Sequence, residues 1–125
     1  MRWLILLIYS LGYSADYSAT VVNVHDGDTI TARVELGFDV SVTHQFRLKD
    51  VYAPELKSEN GELCRKKLEE LMGSNILIRT ITTKSGNEIK SFDRYIILCY
   101  NANGNINTAM ANWLSVNKLT GGNGL

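Results

Sequence analysis

The stretch of the sequence with the clearest chemical character runs from Val21 to Ile30 and contains Asp26-Gly27-Asp28. Two carboxylates lie two residues apart here with a glycine between them, and carboxylates are proper ligands of hard cations. Asp-Gly between two β-branched runs is also a strong turn signal, so a hairpin tip with solvated aspartates explains the segment without any function. A functional role for Asp28 therefore depends on other residues of the chain.

Three further charged residues, Arg47, Glu55 and Arg94, follow along the chain. A guanidinium carries planar pairs of donors that can bind anionic oxygens, and a carboxylate can accept a proton. Each residue also has a simpler explanation. Arg47 could pair with Glu35 on the sheet surface, and Glu55 could be a turn residue after a proline. Arg94 could form a local ion pair with Asp93. Because all three explanations would have to hold together, the functional interpretation is favoured.

Length and charge limit the classes of function. A chain of 125 residues corresponds to one domain, and its 13 basic and 13 acidic side chains cancel. Non-specific nucleic-acid binders usually carry a positive surplus, which this chain lacks. Any recognition of phosphate must therefore come from individually placed arginines.

The N-terminus has the features of an export signal. Met1-Arg2 is followed by an apolar run over 3–12 and then by small residues. A cut after Ser14 fits best, although a buried first strand or an uncleaved anchor remain alternatives. We expect a signal-like segment at 1–19, a folded domain at 20–118 and a flexible tail at 119–125. The protein is then expected to be secreted or exported, monomeric and without stable membrane association after processing.

Two cysteines, Cys64 and Cys99, could pair in an exported protein. Both lie in apolar patterns, which favours buried free thiols over a disulfide. The only two histidines, His25 and His44, are too scattered for a zinc site.

The hydrophobic pattern predicts short strands, a helix, further strands and a second helix. Apolar residues in the helical segments recur at helical spacing, and those in the strands tend to alternate with polar ones. The predicted strands are 17–24, 29–36, 40–48, 76–82 and 95–100, with a loop at 84–88 and helices near 60–72 and 105–116. Pro54 ends the first sheet segment. This order predicts a mainly β chain with helices (α+β), folded as a five-stranded OB-type Greek-key barrel with two helices.

Several short segments of this sequence match the motifs of a known protein family and follow one another in the same order. They are Val24–Thr29, Phe46–Leu48, Ala53–Glu55, Asp93–Tyr95 and Ile106–Asn107. With these motifs the sequence resembles the staphylococcal nuclease (thermonuclease) family over residues 18–116. The resemblance implies calcium-dependent hydrolysis of phosphodiester bonds in DNA and RNA on a five-stranded barrel.

The resemblance also implies individual roles. Asp28 would be a direct calcium ligand, and the backbone carbonyl of Ala53 would face the same ion. Asp26 would support the calcium site without binding the ion directly. Two arginines, Arg47 and Arg94, would bind the scissile phosphate, and Glu55 would be the general base.

One position departs from the family pattern. The family typically has Asp-X-Pro-Glu, and its aspartate is the second calcium carboxylate, whereas this chain has Tyr52 there. A phenol is neutral at pH 7, so the site lacks one negative charge. Asp50 lies two residues earlier and would share a face with position 52 if the strand stayed regular.

Two functions therefore remain open. One is an active exported nuclease with weak or altered calcium demand, which the three charged residues Arg47, Glu55 and Arg94 favour. The other is a catalytically degenerate barrel that binds nucleic acid or a protein partner. Tyr52 and the zero net charge favour this second function.

Overall fold

A computed structural model describes residues 16–81, 90–91 and 94–119 of the chain. The strands are β1 (Asp16–Asp26), β2 (Thr29–Gly37), β3 (Val40–Leu48), β4 (Asn75–Thr80), β5 (Lys90–Ser91), β6 (Arg94–Asn101) and β7 (Gly104–Asn105). The helices are α1 (Gly61–Met72) and α2 (Ile106–Val116). Residues 1–15 of the predicted signal-like segment at 1–19, the predicted loop at 84–88 and residues 120–125 of the predicted tail lie outside the described residues.

Five strands close into a barrel in the order β3-β2-β1-β4-β6. Neighbours along this path pair antiparallel, and a short parallel ladder between Phe46–Leu48 of β3 and Tyr95–Ile97 of β6 completes the circle. The two-residue strands β5 and β7 pair only with β6 among the described residues. The predicted OB-type barrel with two helices is therefore confirmed.

The core fills the barrel and extends under both helices. Fully or almost fully buried side chains come from four strands and from both helices: Ile30, Leu48, Ile78, Ile97, Cys64, Leu68, Met72, Met110 and Leu114. In α1 the buried side chains recur at intervals of four residues, which is the helical stripe that the sequence predicts. Both cysteines are free and buried, as expected.

Strand β1 differs from its predicted extent at both ends. It begins at Asp16, and residues Asp16–Thr20 pair with β4. Two register shifts interrupt its pairing with β2, between Val21 and Asn23 and between Val24 and Asp26. Bulges of this kind bend a strand and change the direction of the side chains that follow, and the second one comes directly before Gly27-Asp28. Neither described helix is long and apolar enough to cross a membrane.

Candidate active site

Asp28 is buried rather than solvated. The residue is 8% exposed, although it lies in the tight turn between β1 and β2. Gly27 allows this burial, because a Cβ at that position would lie 2.5 Å from the Cβ of Ala53. The turn therefore packs against the segment that follows β3, and the explanation as a solvated hairpin tip is wrong for Asp28.

Both oxygens of the Asp28 carboxylate accept hydrogen bonds from the protein. Oδ2 accepts the backbone N–H of Ala53 at 3.1 Å, and Oδ1 accepts the hydroxyl of Thr29 at 3.0 Å. The backbone N–H of Asp28 in turn donates to Oδ1 of Asp26 at 3.1 Å. These contacts fix the carboxylate, while its remaining lone pairs stay available for another donor or a cation.

The pKa of Asp28 is raised from 3.8 to about 6. Burial is the main cause, because it disfavours the charged form, and the neighbouring Asp26 carboxyl adds to the effect. The N–H of Ala53 and the charge of Arg47 act in the opposite direction. The site therefore holds two acidic groups whose combined negative charge is only partly balanced.

Arg47 lies near the end of β3 and reaches the same carboxylate. Its Nη2 is 3.7 Å from Oδ2 of Asp28 and donates to the backbone carbonyl of Val51 at 3.4 Å. Its guanidinium also lies over the ring of Tyr52, with Cζ 5.2 Å from the ring centroid. The alternative pairing with Glu35 is wrong, because Glu35 pairs with Arg33 at 3.3 Å.

Arg94 approaches from the first residue of β6. Its Nη1 donates to Oγ1 of Thr29 at 2.9 Å, and Thr29 donates in turn to Asp28. Closure of the barrel brings this residue close to β3, since Arg47 is aligned with Ile96 in the parallel ladder. The structure therefore places Arg47 beside the Asp28 carboxylate and links Arg94 to the same carboxylate through the Thr29 hydroxyl. The alternative partner Asp93 lies outside the described residues.

Glu55 is not part of this hydrogen-bonded cluster. Its side chain is exposed and makes no hydrogen bond or ion pair with any other described residue. Its backbone is nevertheless fixed, because its carbonyl accepts the N–H and the hydroxyl of Ser58 at 2.9 and 2.6 Å. Gly61, at the start of α1, packs so closely on this carbonyl that a side chain there would collide with it. The loop thus holds, two residues beyond Ala53, a carboxylate that pairs with no described residue.

Asp50 cannot replace the missing carboxylate in the way that a regular strand would allow. Strand β3 ends at Leu48, and Asp50 has a left-handed backbone with φ of +61°. It lines a surface depression together with Asn107 and Thr108 of α2. The premise that Asp50 and Tyr52 share the face of a regular strand is therefore wrong.

The residues around Asp28 fit a calcium ion only in part. Within the described part of the chain, no group of three or more His, Cys, Asp or Glu side chains is close enough to hold a metal. Calcium takes about 6–8 oxygen ligands, so Asp28 and one backbone carbonyl would leave most positions to water or substrate. The partly balanced charge of Asp26 and Asp28 is the feature that favours a cation. A weakly held ion is what this donor set fits.

Thr29 belongs to the same cluster, although the sequence does not single it out. It follows Asp28 in the acidic turn motif, where a threonine at the start of a strand is ordinary. Its burial, at 3% exposed, and its contacts with both Asp28 and Arg94 become visible only in the folded barrel.

Comparison with models of known protein families found no match, and a search of curated proteins found no significant match. What this chain does is therefore inferred from its own residues.

Proposed function

We propose that this protein is a nuclease that hydrolyses phosphodiester bonds of DNA, RNA or both, with assistance from calcium. The observation that supports this best is the convergence of Arg47 and Arg94 on the Asp28–Thr29 pair. Arg47 comes from β3 and Arg94 from β6, and neither is held by a simple surface ion pair among the described residues. Two guanidiniums at one buried acidic turn supply local donors for phosphate on a chain with no net charge.

The arginines supply the binding of phosphate. Each guanidinium has five N–H donors, and the contacts with Asp28, Val51 and Thr29 use only some of them. The remaining donors can bind the oxygens of a phosphodiester and stabilise the charge that grows on them in the transition state. Lysine at either position would lack the planar pair of donors.

Glu55 is the proposed general base. Its carboxylate has no partner among the described residues, so no protein contact needs to break before it accepts a proton from water. Asp28 and the carbonyl of Ala53 would hold the calcium ion. Lewis-acid stabilisation of the phosphate oxygens is the chemistry that calcium supplies when bound.

A second function is a catalytically degenerate barrel that binds nucleic acid or a protein without cleaving it. The contact between Tyr52 and Arg47 favours this alternative, because an aromatic ring occupies the position where a second acidic ligand would help to hold calcium. An exposed Glu55 without a role would also be consistent with it.

Digestion of single-stranded DNA with calcium and with a chelator distinguishes the two functions. A nuclease cleaves the DNA and is slowed by the chelator, whereas a binding module retards the DNA in a gel without shortening it. If the pure chain does not cleave DNA or RNA at any calcium concentration, the proposed nuclease function is wrong, and binding without cleavage then supports the alternative.

Three alanine variants test the assigned residues. Arg47→Ala and Arg94→Ala should each lose about 2–4 kcal/mol of transition-state stabilisation, by analogy with the loss of an oxyanion donor. Glu55→Ala should lower kcat more than it raises KM. Arg33→Ala is the control, because this exposed arginine pairs with Glu35 and should leave cleavage unchanged. Wild-type rates for all three site variants would refute the assignment.

A further inference from the structure

We propose that Thr29 is the positioning residue that sets Arg94 in place for the phosphate, an inference that rests on the proposed nuclease function. Thr29 lies between the two arginines. It is the cross-strand partner of Arg47 in the β2–β3 ladder, and its hydroxyl accepts a hydrogen bond from Arg94. No other described side chain contacts Arg94 through a hydrogen bond.

The direction of the hydrogen bonds is fixed by the chemistry of the groups. A guanidinium can only donate, and an ionised carboxylate can only accept. The single hydroxyl proton of Thr29 therefore goes to Oδ1 of Asp28 at 3.0 Å, and a lone pair of Oγ1 accepts Nη1–H of Arg94 at 2.9 Å. Arg94 therefore donates to Thr29, and Thr29 donates to Asp28.

The hydroxyl is held rigidly. The backbone of Thr29 pairs with Asp26 of β1 and with Arg47 of β3, so strands on both sides fix its position. The residue is 3% exposed, and a β-branched side chain has few accessible χ1 rotamers. Oγ1 is therefore a fixed acceptor on which Arg94 can be aligned before the substrate binds.

This arrangement also keeps Arg94 available. A direct ion pair with Asp28 would occupy two of its donors and cancel its charge against the carboxylate. The intervening hydroxyl holds the guanidinium through one N–H, and no other described side chain takes up the remaining donors, which can bind phosphate. The Thr29 hydroxyl thus keeps Arg94 out of a direct ion pair with Asp28, while its two hydrogen bonds still connect the two side chains.

The test compares Thr29→Val, which keeps the shape and removes the hydroxyl, with Thr29→Ser, which keeps the hydroxyl. Cleavage of a single-stranded oligonucleotide is measured at saturating calcium. Loss of a hydrogen bond to a charged group predicts that kcat for Thr29→Val falls about 10- to 100-fold, while KM changes less than about threefold. Thr29→Ser should stay within about threefold of the parent for both constants, as expected when the hydrogen bond is retained.

A double-mutant cycle separates positioning from a general structural role. If Thr29 acts through Arg94, Thr29→Val should cost less than about twofold in an Arg94→Ala background, because coupled residues are not additive. Thr31→Val is the control, since the Thr31 hydroxyl lies on the same strand but pairs with His25 at 2.6 Å. It should leave cleavage unchanged.

The outcomes are distinguishable. A parent chain that does not cleave refutes the proposed nuclease function. A parent that cleaves, with equal activity for the valine and serine variants, refutes the role of Thr29 alone. Full additivity with Arg94→Ala also refutes it, because Thr29 would then act without Arg94. If Thr29→Val fails to fold, Thr29→Ala takes its place against the same serine variant.

Discussion

Replacing Asp28 with asparagine should stabilise the protein while it removes activity. The pKa of Asp28 is raised from 3.8 to about 6, chiefly by burial, so its charge disfavours the folded state at neutral pH. A difference of about two pKa units corresponds to at most about 3 kcal/mol. Asparagine can keep the bond from the Ala53 N–H through its carbonyl and turn its amide toward Thr29. We therefore expect Asp28→Asn to raise the free energy of unfolding by about 1–3 kcal/mol at pH 7.

The pH dependence follows from the direction of the shift. The folded chain binds the Asp28 proton more tightly than the unfolded chain, so the parent loses stability as pH rises from about 4 to about 6. Below that window both states are protonated and the two proteins should be equally stable. Above it the advantage of the asparagine variant should be constant.

Urea unfolding from pH 4 to pH 8, with a chelator present, measures this difference. Added calcium should reduce the difference in free energy of unfolding between Asp28→Asn and the parent, because an ion that binds only the folded parent stabilises it. Glu59→Gln is the control, since it neutralises an exposed carboxylate and should show no such pH window. An asparagine variant that is less stable than the parent at pH 7, or a gap independent of pH, would refute the reasoning.

Two further predictions concern calcium and processing. Tyr52→Asp should tighten calcium binding from the millimolar range typical of weak sites and raise cleavage at low calcium. Asp50→Asn should leave the calcium curve unchanged, because Asp50 lies beside α2, and an unaltered curve for Tyr52→Asp in a folded protein would mean that calcium binds elsewhere. Mass spectrometry of exported protein should show a first residue between 15 and 20, and full-length protein in the cytoplasm of its native host would contradict this. A start at residue 15 would keep β1 complete, since that strand begins at Asp16.

The sequence predicts the fold well because local residue patterns mark the strands and helices of the barrel. Alternation, helical spacing and turn residues mark each long strand and both helices to within about two residues, the usual uncertainty at element ends. The short strands β5 and β7 were missed, because two residues carry no periodicity. The condition under which Asp50 would share a face with Tyr52, a regular strand, fails for a related reason. Alternation applies only while a strand continues, and β3 ends at Leu48.

The sequence predicts which residues form the candidate site better than it predicts the contacts between them. Charge and spacing suggest Asp28, Arg47 and Arg94, which the structure brings together. Burial of Asp28 could not be foreseen, since it depends on the bulge in β1 and on the contact of Gly27 with Ala53. Glu55 stays a prediction, because its carboxylate points to no described partner.

The parallel ladder between β3 and β6 closes the barrel, and the candidate site forms only when this ladder forms. Only three residues of β3 and three of β6 make this seam, and they are separated by about fifty residues of chain. Arg47 lies within the seam and Arg94 one residue before it, so each belongs to a different half of the unclosed sheet. A chain whose barrel has not yet closed therefore carries both arginines without bringing them together at the Asp28–Thr29 turn.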